Sequence, residues 1–320
     1  MNANDASLFN VNVSIVHPEY FFIAGLTGVP YSNYYYIFLF CTYIIAVIGN
    51  CTVLLIIAFD RSLHSPKYIG VFNLALADFG ETTALIPNMM RTFLFESQYI
   101  SYNACLANMF LFFFFNTTQS FTLVVLAYDR FVAICLPLRY HTIVTNTVMS
   151  LICSAVWAFN AFLMASMYFI SRLSLCKSNV IQSFFCDHGP VFRLACNDNS
   201  INSVIANLNT GLYLIAPLIL ILLSYLGILL ALSKITTWEG RLKALKTCVS
   251  HLLLVASLFL PIICIYLTAI TTYLSPNARI ISVSLAYATP PMLNPIIYVL
   301  NTAEIKLLIR KVFKNRSVPI

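Results

Sequence analysis

Charge is scarce in this sequence: 9% of its 320 residues are Asp, Glu, Lys or Arg, against 60% hydrophobic. Soluble domains carry about 25% charged residues, so this chain cannot cover itself for life in water and reads as an integral membrane protein. The net charge of +7 does not indicate a nucleic-acid partner, because the basic residues fall in short gaps between apolar runs and form no face or stripe. Catalytic signatures are missing as well. There is no GxSxG, HExxH, P-loop or dinucleotide fingerprint. None of His17, His64, His141, His188 and His251 has a metal partner at ligand spacing. No enzyme activity, cofactor or resident metal is expected. Residues 1–20 also lack the basic start and apolar core of a cleavable signal, so the first membrane helix is expected to serve as signal anchor.

What the chain does have is apolar length. A helix crossing the hydrocarbon core takes about 20 mostly apolar residues. Seven such runs occur, at roughly 34–59, 68–92, 104–134, 147–170, 203–233, 245–272 and 279–300. The expected fold class is an all-α membrane protein with a seven-helix bundle over 34–300, an outer tail at 1–33 and an inner tail at 301–320. An odd number of spans puts the termini on opposite sides. With the C-terminus inside, thirteen of the eighteen Lys and Arg are cytoplasmic, and Arg91, Arg172, Lys177, Arg193 and Arg279 lie outside. The positive-inside rule therefore places the N-terminus outside, as in a multi-pass protein of the plasma membrane. In the inner tail, Ile305, Leu308, Ile309 and Val312 share one face, with Lys306, Arg310, Lys311 and Lys314 around it. That pattern suits a short amphipathic helix lying on lipid. Sequons occur at Asn12, Asn50, Asn116 and Asn315; topology selects Asn12 as the glycan acceptor.

The same topology sorts the ten cysteines. Cys41, Cys51, Cys135, Cys153, Cys248 and Cys264 lie in helices or at inner ends and read as small apolar residues. Cys105, Cys176, Cys186 and Cys196 lie at the oxidising outer face, where four cysteines permit three pairings. Cys105, at the outer start of the third span, needs a partner from the long loop that holds the other three. The middle one, Cys186, best reaches over the bundle centre, which leaves Cys176–Cys196 to close the loop on itself.

Polar groups inside the spans are costly in lipid and mark functional hypotheses. Asn50, Asp78 and Asn294 are placed to face one interior, with Glu81 nearly one turn beyond Asp78. They form either a network that rearranges between states or a hydrogen-bond cluster that fixes packing. Pro217, Pro261 and Pro295 interrupt helices and create local hinges. In the outer half, Phe112, Phe113, Asn116 and Thr117, then Asn209 and Tyr213, Ile262, Ile263 and Tyr266, and Ser284 and Tyr287 are candidates to line one pocket. Apolar walls with a few hydroxyls and amides suit a small organic molecule. The outer part of the third span carries no acid, and the outer half of the sixth no base. Arg91, Arg193 and Arg279 are the outer bases that could meet an anionic ligand, none of them clearly inside the bundle. At the inner end of the third span, LAYDRFVAIC (126–135) sets Asp129 and Arg130 side by side, either to anchor a helix end or to work as a switch.

Seven spans, an outer Cys on the third and Asp-Arg at its inner end resemble the rhodopsin-like G-protein-coupled receptors. LHSPKY (63–68), LAYDRFVAICLPLRY (126–140), Ser224-Tyr225, KALKTCVSH (243–251) and PPMLNPIIY (290–298) together resemble the olfactory receptor family. FFCDHGPVFRLACND (184–198) looks most like its fish-like branch. The resemblance implies an odorant-type ligand and coupling to a heterotrimeric stimulatory olfactory G protein that raises cyclic AMP. It also implies that Asp129 neutralises Arg130 at rest, and that Arg130, Tyr225, His251, Asn294, Pro295 and Tyr298 rearrange to receive the G protein. Two positions depart from the pattern. Lys67 stands where the family has Met, and Gln119 stands where many members have an acid that completes a cation site with Asp78. A sodium site near Asp78 is therefore in doubt, with Glu81 a displaced substitute. Two alternatives have their own discriminators. LHSPKY and KALKTCVSH argue against a rhodopsin-like receptor of another kind, and a transporter predicts inverted repeats with paired interruptions, which the two halves do not show.

Overall fold

The computed structural model describes residues 17–94, 97–165, 173–196, 198, 200–234, 237–271, 274–302 and 304–308. Among these residues, seven helices are long and apolar enough to cross a membrane. They are α1 (Ser32–Phe59), α2 (Pro66–Leu94), α3 (Tyr102–Cys135), α4 (Asn146–Ala165), α5 (Ser200–Ser233), α6 (Trp238–Thr271) and α7 (Pro276–Asn301). In lipid every backbone polar group must be satisfied within the segment, which a helix does and an open strand does not. Side chains close exposed helix starts: Ser101 accepts from the Ala104 N–H at α3, and Ser275 accepts from the Ala278 N–H at α7, where Pro276 takes the first turn.

α6 begins at Trp238, about two turns before the apolar run. Arg241, Lys243, Lys246 and their Leu and Ala neighbours are good helix formers, although hydropathy scores the stretch as a loop. The expected end of the fourth span near 170 lies outside the described residues, as do Asn12, Ile309, Arg310, Lys311, Val312 and Lys314. Of the inner tail, 304–308 are helical, with Ile305 buried against the bundle and Lys306 exposed.

α3 is the most buried of the seven and packs against α2, α4, α5 and α6. The core forms two apolar clusters, one towards the disulfides (Leu39, Met89, Phe112, Phe185) and one towards Arg130 (Leu74, Leu123, Ile221, Phe259). α5 is the least buried; Leu222, Leu226 and Leu230 are exposed on it and face lipid. Ahead of Pro217, α5 loosens into a π turn at Gly211–Ile215, because Pro217 has no N–H to offer the turn before it.

Within the stretch that reads from sequence as a tail, Tyr20–Ile23 form a strand, β1. It is the middle strand of a small sheet, antiparallel to β2 (Tyr99–Ser101) and parallel to β3 (Val180–Ile181). Phe21 and Ile23 point into the core. Four residues are too short a run to announce themselves, and their hydrogen-bond partners lie far along the chain. Gly25 then turns at φ 61°, and a Cβ there would run into the Phe93 ring, so only glycine fits this corner.

Candidate functional site

The loop after α4 is tied to α3 over the bundle by the disulfide Cys105–Cys186 (Cα–Cα 5.4 Å) and closed on itself by Cys176–Cys196 (5.8 Å). Beneath it, α3, α5, α6 and α7 enclose a cavity of about 270 Å³. Helical periodicity decides which side chains reach it. Ala206, Asn209, Thr210 and Tyr213 form one stripe of α5, Ile262, Ile265 and Tyr266 one of α6, and Arg279, Val283 and Tyr287 one of α7. Six of the eleven residues expected to line a pocket do so: Phe113, Asn209, Tyr213, Ile262, Tyr266 and Tyr287. The Tyr213 and Tyr266 hydroxyls hydrogen-bond to each other at 2.8 Å.

The other five face elsewhere. Phe112 backs the cavity, edge-on to Phe185 and Tyr287 with ring centroids 4.9 and 4.8 Å away. Asn116 turns to α2 and donates to Glu81 Oε1 at 3.0 Å. Thr117 is buried in the packing. Ile263 belongs to the apolar cluster on the Arg130 side, one residue off the lining stripe. Ser284 shares a 2.6 Å hydrogen bond with the Tyr35 hydroxyl of α1.

Of the three outer bases that could meet an anionic ligand, none of them clearly inside from the sequence, two reach the cavity. Arg279 and Arg193 both line the cavity, together with Asp187 and His188. Arg279 Nη2 donates to Asp187 Oδ2 at 2.6 Å. The reason is the disulfide at Cys186, which folds the loop back so that its next residues roof the cavity; spacing along the chain does not show this. Burial lowers the basicity of the His188 ring, with the Asp187 carboxylate partly opposing, so His188 is neutral at ordinary pH.

Below the cavity runs a polar core. Asn294 Nδ2 donates to Asp78 Oδ2 at 2.9 Å. Asn50 Nδ2 donates to the carbonyls of Ala46 and Pro291, each at 2.9 Å. The second bond has a local cause: Pro295 cannot offer an N–H to the carbonyl four residues back, and Asn50 supplies the missing donor. Close approach of α1 makes this reachable, since a Cβ on Gly49 would lie 2.9 Å from Pro295 Cβ. Glu81 accepts from Asn116 and from Gln119, so its carboxylate on α2 is held by two side-chain amides of α3. Among the described residues no group of three His, Cys, Asp or Glu gathers at metal distance.

At the opposite end a second cavity, of about 210 Å³, is lined by Lys67, Arg130, Lys246, His251 and Tyr298 among others. Asp129 Oδ2 lies 3.5 Å from Arg130 Nη2, and its Oδ1 accepts from the Tyr140 hydroxyl at 2.7 Å. Burial, and then this bond to a carboxylate, raise Tyr140 above the usual phenol value. Tyr140 closes PLRY, and its role here was not read from the sequence. The Leu123 carbonyl accepts from His251 Nε2 at 3.0 Å, so in the neutral ring Nδ1 accepts from the Tyr225 hydroxyl at 2.9 Å. Tyr298 is buried.

A family model described as olfactory receptor matches residues 39–316. The human protein "Olfactory receptor 1M1" is 37% identical over 306 residues, covering 93% of this chain and 95% of its own. Human "Olfactory receptor 5B12" is 39% identical over 303 residues, covering 91% of this chain and 93% of its own. Human "Olfactory receptor 52K1" is 33% identical over 310 residues, covering 96% of this chain and 99% of its own. Among solved structures, the crystal structure of squid rhodopsin superposes with a TM-score of 0.72 at 18% identity. It covers 91% of this chain and 88% of that one, and the likeness is one of fold.

Proposed function

Since the chain belongs to the olfactory receptor family and has the fold of rhodopsin, we propose that an odorant in the outer cavity drives it to activate a heterotrimeric stimulatory olfactory G protein, raising cyclic AMP. It is a multi-pass membrane receptor and not an enzyme. The ligand is a small organic molecule held by Phe113, Asn209, Tyr213, Ile262, Tyr266 and Tyr287. Residues Asp129, Arg130, Tyr225, His251, Asn294, Pro295 and Tyr298 form the switch that the G protein meets. The receptor sits in the plasma membrane with its N-terminus extracellular, Asn12 glycosylated and its C-terminus cytoplasmic, which the excess of basic residues at the Arg130 end supports. The segment FFCDHGPVFRLACND favours the fish-like branch.

One observation carries this reading: α6 and α7 each line both cavities. α6 gives Ile262 and Tyr266 to the outer one and Lys246 and His251 to the inner one; α7 gives Tyr287 to the outer one and Tyr298 to the inner one. Prolines lie inside each helix between these positions, Pro261 in α6 and Pro290, Pro291 and Pro295 in α7, and each removes a backbone donor and so favours a local bend. A ligand that fits the outer cavity better in one bend than another shifts the inner mouth, and only by its differential affinity for the two states.

The test is expression with an olfactory G protein against a broad odorant panel. Cyclic AMP rises for some members, and Arg130→Ala abolishes the response at unchanged surface level. Ligand-dependent ion current or solute flux surviving Arg130→Ala would overturn the receptor reading.

A further inference from the structure

We infer that the inner cavity is a binding site for a phosphate group, inorganic or on the headgroup of an anionic lipid, held by Lys67, Arg130 and Lys246. The site is separate from the outer cavity and does not depend on what binds there.

The lining decides the sign of the charge. Three permanent cations line this cavity from three helices, Lys67 from α2, Arg130 from α3 and Lys246 from α6, and no carboxylate lines it. Two acids lie nearby. Asp129 meets Arg130 through one contact of 3.5 Å, which leaves further guanidinium N–H groups for a second acceptor. Glu304, exposed on the tail helix, acts on Lys67 through its field but is not within ion-pair distance of it. The cluster stays positive with both acids counted. Basic residues that merely mark an inner end turn their charge out to water and headgroups, whereas Lys67 is half-buried and the Arg130 side chain is 14% exposed. Lys67 is also the second residue of α2, where a cation opposes the positive end of the helix dipole. Helix stability therefore does not account for it, while an anion gains from the lysine and the dipole together.

A second observation points to an occupant. Tyr298 lines the same cavity, is 6% exposed, and its hydroxyl has no hydrogen-bond partner among the described residues. A buried hydroxyl without a partner is costly, and a bound acceptor relieves it. His251 has nothing to lend, because its ring nitrogens are engaged by the Leu123 carbonyl and the Tyr225 hydroxyl. Val71, Leu126, Leu254 and Ile297 wall the remainder, so charges inside are less screened than at an open surface. A phosphate offers three terminal oxygens, enough for two ammonium groups and a guanidinium fork at once; a planar carboxylate offers two. At about 210 Å³ the space lies below the ~300–1,000 Å³ of drug-sized sites and suits a headgroup-sized anion. Bound there, the phosphate holds Arg130 alongside Asp129 and fills the mouth that the proposed switch opens.

The experiment uses the full-length receptor in lipid nanodiscs and reads thermal stabilisation against ligand concentration. One arm adds inorganic phosphate to phosphatidylcholine discs, against chloride at equal ionic strength. The other replaces part of the phosphatidylcholine by phosphatidic acid, a phosphate monoester, against phosphatidylserine at equal surface charge. Phosphate, phosphatidic acid or both raise the melting temperature, and which of them does so identifies the source. Lys67→Met weakens that binding about tenfold, the loss of one charge-assisted contact, and Lys67→Arg retains most of it. Lys246→Gln weakens it in the same direction, while Lys234→Gln, outside the cavity, leaves it unchanged. Tyr298→Phe weakens binding several-fold and does not lower the melting temperature measured without phosphate; a purely structural hydroxyl would do the opposite. No stabilisation from either source, equal stabilisation by phosphatidylserine, or a shift unmoved by both Lys67→Met and Lys246→Gln would each overturn the inference. None of these readouts involves cyclic AMP, so failure of the site leaves the receptor reading standing, and failure of that reading leaves the site standing.

Discussion

Asn50 shows how one residue repairs what another breaks. Pro295 withdraws the donor for the Pro291 carbonyl, and the Asn50 side chain returns it from the neighbouring helix at 2.9 Å. Asn50→Ala leaves a buried carbonyl with no donor. It is expected to lower stability by about 1–3 kcal/mol, seen as a lower melting temperature of the purified receptor; an unchanged melting temperature would mean the carbonyl finds another partner. Asp129 works through charge. It sits 3.5 Å from Arg130 and accepts from Tyr140 at 2.7 Å. Asp129→Asn keeps a side-chain oxygen for Tyr140 and removes the negative charge that holds Arg130. Basal cyclic AMP without ligand is expected to rise at matched surface expression, and no rise would show that Asp129 does not restrain Arg130. Both residues stand out in the sequence because a polar group in an apolar span is rare, and its partner does not. Tyr140 lies around a bend of the chain, and the Pro291 carbonyl is backbone, so neither announces itself.

The loop 173–196 is the element that makes the cavity, and its stability is linked to pH through His188. Burial lowers the basicity of that ring. An opened loop therefore takes up a proton near the ordinary imidazole value of about 6.5, while the closed loop takes it up only at lower pH. The closed form is favoured above about pH 6.5 and loses ground as pH falls below it. Hydrogen exchange of residues 184–192, corrected for intrinsic rates, is expected to quicken between about pH 7.4 and about pH 5.5 relative to the rest of the protein. His188→Gln should flatten that dependence, and an equal dependence in the variant would assign it to other groups. At this scale the sequence was only partly informative. Topology picked out the four outer cysteines, and the reach of Cys186 over the bundle their pairing, whereas β1 and the Asp187–Arg279 pair were not foreseen. A strand of four residues carries too little pattern, and the two members of the ion pair come from a loop and a helix start 92 positions apart.

For the molecule as a whole the solvent is lipid, and α5 shows it most plainly. Leu222 lies mid-span and is 60% exposed, with Ile219, Leu223, Leu226 and Leu230 exposed beside it, and a contiguous apolar face of this kind suits hydrocarbon. Leu222→Arg places a charge near the centre of the bilayer at a cost of about 2.5–3.5 kcal/mol on insertion scales. Surface delivery measured by flow cytometry is expected to fall several-fold, while Leu222→Met stays near wild type. Leu230→Arg, nearer the helix end, should fall less because the long side chain reaches the interface. Equal losses at both positions would argue against a simple depth effect.

Hydropathy is a local property, summed along the chain, and so the seven spans, their polar interruptions and the Asp129–Arg130 pair were determined by the sequence itself. Membership of the cavity is a property of facing, set when helices pack at particular rotations. One step along a helix turns a side chain by about 100°, which is enough to put Phe113 and Ile262 on the cavity wall and Phe112 and Ile263 behind it. The tertiary structure alone decided that Asn116 serves Glu81, that Ser284 serves Tyr35, and that a disulfide at Cys186 carries Asp187 to Arg279 and roofs the cavity with charge.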